Sequence, residues 1–93
     1  MANAILTFKI MPDSVEADFD DISKKASEIA KENGAKGDLK VEIKPLAFGL
    51  KEINVLGMYE VSDNVDFDAI AAKMLEIDGV QSAEVAAMDL AIG

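Results

Sequence analysis

Four short stretches of alternating apolar and polar residues, interrupted twice by stretches whose apolar residues fall three and four apart, restrict the fold of this chain more than any other feature. Strand side chains point to opposite faces with a period of two, and a helix gathers one face at a period of 3.6, so a change of period marks a change of element. From Ala4 to Met11, Leu6, Phe8 and Ile10 alternate with Thr7 and Lys9 until Pro12 closes the strand. Val15, Phe19, Ile22, Ala26, Ile29 and Ala30 then predict a helix over about 15–33, with Ser14 or Asp18 as N-cap and Gly34 as its stop.

Leu39, Val41 and Ile43 alternate with Lys40, Glu42 and Lys44 as far as Pro45. This predicts a strand with one buried and one charged face, suited to a sheet edge protected from aggregation. The next strand, about 51–61, carries apolar residues on both faces, with Ile53, Val55, Tyr59 and Val61 on one and Leu56 and Met58 on the other, so it is expected to be central. Asp66 can cap a second helix with the stripe Phe67, Ile70, Ala71, Met74 and Leu75, which Gly79 stops. A last strand from Val80 to about Met88 sets Ala83, Val85 and Ala87 against Ser82, Glu84, Ala86 and Met88, leaving Leu90 to Gly93 as a short tail.

The resulting order, βαββαβ, predicts an α+β protein of the ferredoxin-like type: a four-stranded antiparallel sheet with both helices on one face. The 93 residues hold no long linker and are expected to form a single domain, 1–93. On the open face, strand parity sets Ile5, Leu56, Met58, Ala86 and Met88 beside Thr7 and Asn54, an apolar patch fit for a partner or for self-association.

Composition narrows the function. With no cysteine and no histidine, the chain lacks thiolate and imidazole metal ligands, cysteine nucleophiles and the usual general base. Its carboxylates do not follow the spacing of a calcium loop, and Gly34 and Gly37 do not form a phosphate-binding motif. No metal, no cofactor and no catalytic residues are therefore expected. Nine lysines and arginines against eighteen acidic residues leave a charge of -9, which opposes the phosphate contacts of nucleic-acid binding and favours a basic protein surface. Phe8 and Tyr59 would be the only aromatics in central strands able to stack on bases. No apolar run approaches a membrane span, and no secretory signal leads the chain, so a cytoplasmic protein is expected, with no membrane and no direct nucleic-acid partner.

One segment breaks the pattern. Leu46, Ala47, Phe48, Gly49 and Leu50 put consecutive apolar residues where a hairpin loop is normally polar. Phe48 either folds back over the end of the sheet or stands out as an anchor for a partner's pocket. The residues alone thus allow a partner-binding protein, a ferredoxin-like regulatory domain that binds a small ligand and dimerises through its sheet, or a small enzyme that uses carboxylates alone.

The run Ile43-Lys44-Pro45-Leu46-Ala47-Phe48-Gly49-Leu50-Lys51, followed by Ile53-Asn54-Val55, resembles the elongation factor 1-beta family. The closing run Gly79-Val80-Gln81-Ser82-Ala83-Glu84-Val85-Ala86-Ala87-Met88 and the opening strand with Met11-Pro12 agree with its short archaeal members. The resemblance implies a guanine nucleotide exchange factor that releases GDP from elongation factor 1-alpha, the GTPase that delivers aminoacyl-tRNA to the ribosome. It implies that Phe48 enters the GTPase, with Leu46, Ala47, Gly49 and Lys51 in support. It also implies a second partner-binding stretch, Met88, Asp89 and Leu90, where eukaryotic members carry a near-terminal lysine that reaches the magnesium and phosphate site. Here Leu90 stands at that position.

Overall fold

A computed structural model describes residues 3–14, 16–61 and 66–91, the side chains of Leu90 and Ala91 excepted. Its elements are β1 (Asn3–Pro12), α1 (Phe19–Glu32), β2 (Lys36–Pro45), a single 3₁₀ turn (Ala47–Gly49), β3 (Lys51–Glu60), α2 (Phe67–Leu75) and β4 (Val80–Ala91). The sheet runs β2-β3-β1-β4 with every neighbouring pair antiparallel. Each strand-helix-strand unit therefore straddles a strand of the other, which is the ferredoxin-like α+β arrangement.

Ala4, Leu6, Phe8 and Ile10 of β1 and Ile53, Val55 and Tyr59 of β3 are buried against Ile22, Ala26 and Ala30 of α1 and Ile70, Ala71 and Met74 of α2. Phe8 meets Tyr59 edge-on at 6.0 Å between centroids, and Tyr59 meets Phe67 at 5.5 Å. Such edge-to-face pairs add to the area that the rings bury. Burial pushes the Tyr59 phenol up to about 12, so the ring is neutral filler at ordinary pH.

Both helix caps come from the acidic residues the sequence offers. Of the two expected N-caps of α1, Asp18 takes the role: its Oδ1 accepts the Asp21 N–H at 3.0 Å. Ser14 closes a separate turn, its Oγ accepting the Glu16 N–H at 3.3 Å and its carbonyl the Ala17 N–H at 3.3 Å. The helix therefore starts at Phe19, later than the apolar spacing suggested, and Val15 lies outside the described residues. At its other end Ala35 N–H donates to Ala30 O at 3.0 Å and Gly34 N–H to Lys31 O at 3.3 Å, with Gly34 at φ 108°. This is the Schellman pattern, in which glycine supplies the left-handed residue. Asp66 caps α2 through the Ala69 N–H at 3.2 Å. Asp18→Ala should cost about 1 kcal/mol by orphaning that N–H, lowering the melting temperature by roughly 4–8 °C. Asp18→Asn keeps an acceptor and should recover most of the loss. A melt unchanged in the alanine variant would show that the cap is idle.

Three sequence-based expectations change. β4 does not stop near Met88 but pairs with β1 through Ala91. Between Thr7 and Phe8 its register shifts: Phe8 faces Val85 whereas Thr7 faces Ala87, so Ala86 is the extra residue of a bulge. One extra residue inverts parity beyond it. Met88 thereby sits opposite buried Leu6, on the helix-side register, and Ala87 takes the place expected for Met88 on the open face. Val41 and Ile43, expected to be buried, are 38% and 42% exposed, and Leu75 of α2 is 45% exposed. Val41 and Ile43 share the helix-side register with Val55 and Ile53, but β2 is the outermost strand, and the two helices cover chiefly the strands inside it.

Candidate functional site

Pro45 pairs with Lys51 at the neck of the β2–β3 connection. Leu46 N–H donates to Leu50 O at 2.7 Å, and Leu50 N–H to Ala47 O at 3.3 Å, closing a tight loop. Within it Phe48 lies at φ 63°, ψ 27° and Gly49 at φ 78°. Glycine takes this left-handed conformation freely, whereas a residue with a Cβ is strained there by roughly 1–2 kcal/mol. The Phe48 ring is 95% exposed. It does not fold back over the sheet, so the domain's own packing gives no return for the strain. Strain held at an exposed side chain directs attention to a partner.

Leu46 is 39% exposed and Ala47 and Gly49 are also at the surface, so the loop presents a small apolar knob. Lys51 opens β3 with its Nζ 5.3 Å from the centroid of the Phe19 ring. A cation over an aromatic face is attracted to it, which ties the loop's neck to the first turn of α1. Sequence reasoning missed Phe19 as a neighbour of the loop. In the sequence it is one more member of a helical stripe, and its contact with Lys51 exists only once α1 lies over the sheet.

The open face of the sheet divides into two parts. Near the Phe48 end, Glu52 accepts a hydrogen bond from Asn54 Nδ2 at 2.8 Å and pairs with Lys9 Nζ at 3.4 Å. The Asn54 bond, with help from Lys9 and Lys44, holds the Glu52 carboxyl below the usual carboxylate range against the opposing effect of burial. Towards the other end, Ile5, Leu56, Gly57 and Met58 line a shallow groove of about 220 Å³ with Asp38 and Lys40. Ile5, Leu56 and Met58 are thus where strand parity predicted. Phe8 and Tyr59 point into the core, away from the face where bases would stack.

The second predicted stretch is not beside the loop. Met88 is 53% exposed and Asp89 is exposed opposite Ile5, while the Leu90 backbone pairs with Ala4 and its side chain lies outside the description. Ala4 in turn faces Tyr59, eight positions along β3 from Lys51. At ~3.3 Å per residue the two stretches stand roughly 25 Å apart, at opposite ends of a molecule 42 Å long. The candidate site is therefore two surfaces on one continuous sheet.

Residues 5–90 match the family model described as EF-1 guanine nucleotide exchange domain. The chain is similar to elongation factor 1-beta of Pyrococcus abyssi, 32% identical over 83 residues that cover 89% of each chain. It is also similar to elongation factor 1-beta of Methanococcus maripaludis strain C7, 34% identical over 90 residues, 97% of this chain and 99% of the relative. The protein of the same name from Archaeoglobus fulgidus is 27% identical over an equal span. The match runs from the first strand into the last and takes in both ends of the sheet, so the chain belongs to the EF-1 guanine nucleotide exchange domain family.

Proposed function

We propose that the chain releases GDP from elongation factor 1-alpha by inserting the Phe48 ring into the GTPase, while the Met88 to Leu90 end of β4 makes a second contact. Guanine nucleotide exchange in translation elongation is the activity that family membership assigns to it. The observation that carries the assignment of Phe48 is its combination of 95% exposure with a left-handed backbone.

Exchange by this route needs no proton transfer, in keeping with a chain that has neither histidine nor cysteine. A factor that binds the empty GTPase more tightly than the loaded one must, by linkage, weaken nucleotide affinity by the same factor. Phe48 supplies the differential contact: its ring enters apolar space that opens only when the nucleotide-binding elements shift. Leu46, Ala47 and Gly49 complete the knob, and Lys51, steadied by Phe19, sets its angle. Leu90 cannot deliver an ammonium group to the magnesium site, so exchange rests on distortion at the Phe48 end. The sheet spaces the two contacts, and the acidic surface, with -9 overall, suits a basic face on the GTPase.

The work is done in the cytoplasm, where the GTPase meets the ribosome; among the described residues no helix is long and apolar enough to cross a membrane. Elongation factor 1-alpha loaded with fluorescent GDP tests the reading directly. Adding the chain should speed release of the label in proportion to its concentration. Release at the spontaneous rate, with the chain folded and in excess, would refute the assignment.

A further inference from the structure

We propose that the free edge of β2 is a self-complementary surface through which two copies of the chain pair, antiparallel and centred on Val41, into a continuous eight-stranded sheet. Among the described residues β2 is the outermost strand, bonded on one side only, to β3. Along it the charges alternate on the open face: Asp38, Lys40, Glu42 and Lys44. An antiparallel two-fold through Val41 sets Lys40 opposite Glu42 of the second copy and Asp38 opposite its Lys44, with each pair repeated by symmetry. On the other face it sets Val41 against Val41 and Leu39 against Ile43. These are the side chains that the helices leave uncovered, Val41 at 38% and Ile43 at 42% exposure. Opposite charges and apolar pairs directly across strands both favour pairing.

The pattern also selects the register. A slip of one residue sets charged side chains against apolar ones, because parity alternates. A slip of two in either direction sets Lys40 against Lys40 or Lys44, and Glu42 against Glu42 or Asp38. Parallel in-register pairing does the same at every charged position. A slip of four restores opposite charges, but in one direction it centres the ladder on Leu39, within the stretch where β2 is out of step with β3 and which the Val41 register meets only at its ends; in the other it centres on Ile43, where Val41 falls opposite Pro45 and Glu42 with Lys44 is the one charged pairing left. In the Val41 register Pro45, which has no N–H to donate, falls opposite Gly37, so the ladder ends at Lys44. The charges on β2 thus exclude the neighbouring registers, and the irregularity before Lys40 and Pro45 favour the Val41 centre among those that remain.

Charge balance agrees. The whole chain has twice as many acidic as basic residues, whereas Lys36 to Pro45 holds three lysines against two acids. This edge is a place where the general repulsion between two copies is lifted. The two-fold leaves each Phe48 loop beyond the ladder, at opposite ends of the joined sheet, so pairing does not cover it. One strand edge buries less than the ~1,200–2,000 Å² of a stable interface, which makes the association weak and dependent on concentration.

Sedimentation equilibrium between roughly 10 µM and 1 mM reads it. The average mass should climb towards twice that of one chain. Glu42→Lys sets ammonium groups against each other at both symmetry-related positions and should weaken pairing about ten-fold or more. Lys40→Glu added to it restores opposite charges, keeps the pair within the strand that now spans 3.1 Å, and should restore pairing. The Lys40 side chain is exposed and that of Glu42 is in part, at the outer strand of the sheet, so circular dichroism should show all variants folded. A mass that stays at one chain up to 1 mM overturns the proposal, as does a dimer indifferent to Glu42→Lys or not rescued by the exchange of charges. A single chain whose Glu42→Lys variant loses affinity for elongation factor 1-alpha would give the edge to the GTPase instead, which also ends the proposal.

Discussion

Phe48→Ala should leave the melting temperature where it is and weaken productive contact with elongation factor 1-alpha by about 2 kcal/mol, roughly thirty-fold at sub-saturating concentration. The ring is 95% exposed and the loop is closed by backbone hydrogen bonds from Leu46 and Leu50, so alanine removes neither packing nor an internal bond. Alanine also keeps the Cβ, and therefore the strain at φ 63°. Phe48→Gly separates the two: it relieves the strain, so the domain should become more stable by up to about 1 kcal/mol, yet exchange should be as poor as with alanine. Melting and GDP release measured on one preparation decide the matter. Normal release by a folded Phe48→Ala protein removes the ring from the mechanism, and a large drop in melting temperature would assign it to the domain's own packing.

The same substitution at Phe8 should do the reverse. Phe8 is fully buried in the middle of β1, edge-on to Tyr59 at 6.0 Å. Phe8→Ala loses the transfer energy of the ring and leaves a cavity that the flanking strands cannot close, at a cost of about 3–5 kcal/mol. Small domains have about 5–15 kcal/mol in all, so much of their stability goes with this ring. Urea denaturation should show the midpoint falling steeply while the slope stays near its original value, since the surface exposed on unfolding scarcely changes. Whatever fraction remains folded should still release GDP, because Phe8 is fully buried and is no part of the exposed loop. A loss below about 1 kcal/mol would mean that the core closes around the gap.

The contrast between Phe8 and Phe48 was partly visible in the sequence. Phe8 sits in step with Leu6 and Ile10, and Phe48 sits in a run that obeys no period. The resemblance to a known family then attached a role to Phe48 that no periodicity could supply. It did not place Met88, Asp89 and Leu90 in space. On the printed chain they are one more stretch of residues; on the sheet they stand at the far end from the loop, because β4 runs antiparallel to β1 and ends beside the start of that strand.

By itself the sequence determined the order of the elements, the two acidic caps at Asp18 and Asp66, the glycine stop at Gly34 and the central place of β3. Each of these depends on neighbours within a few positions, through hydrogen-bond reach or side-chain period. The tertiary structure alone decided the bulge at Ala86, the exposure of Val41 and Ile43, the Lys51 to Phe19 contact and the left-handed backbone of Phe48. Alternation looks the same whether or not a helix covers the strand. A bulge marked by neither glycine nor proline leaves no local sign, since the strand beside it sets the register. Those features arise from the meeting of segments distant in sequence, and no window along the chain contains both sides of the contact.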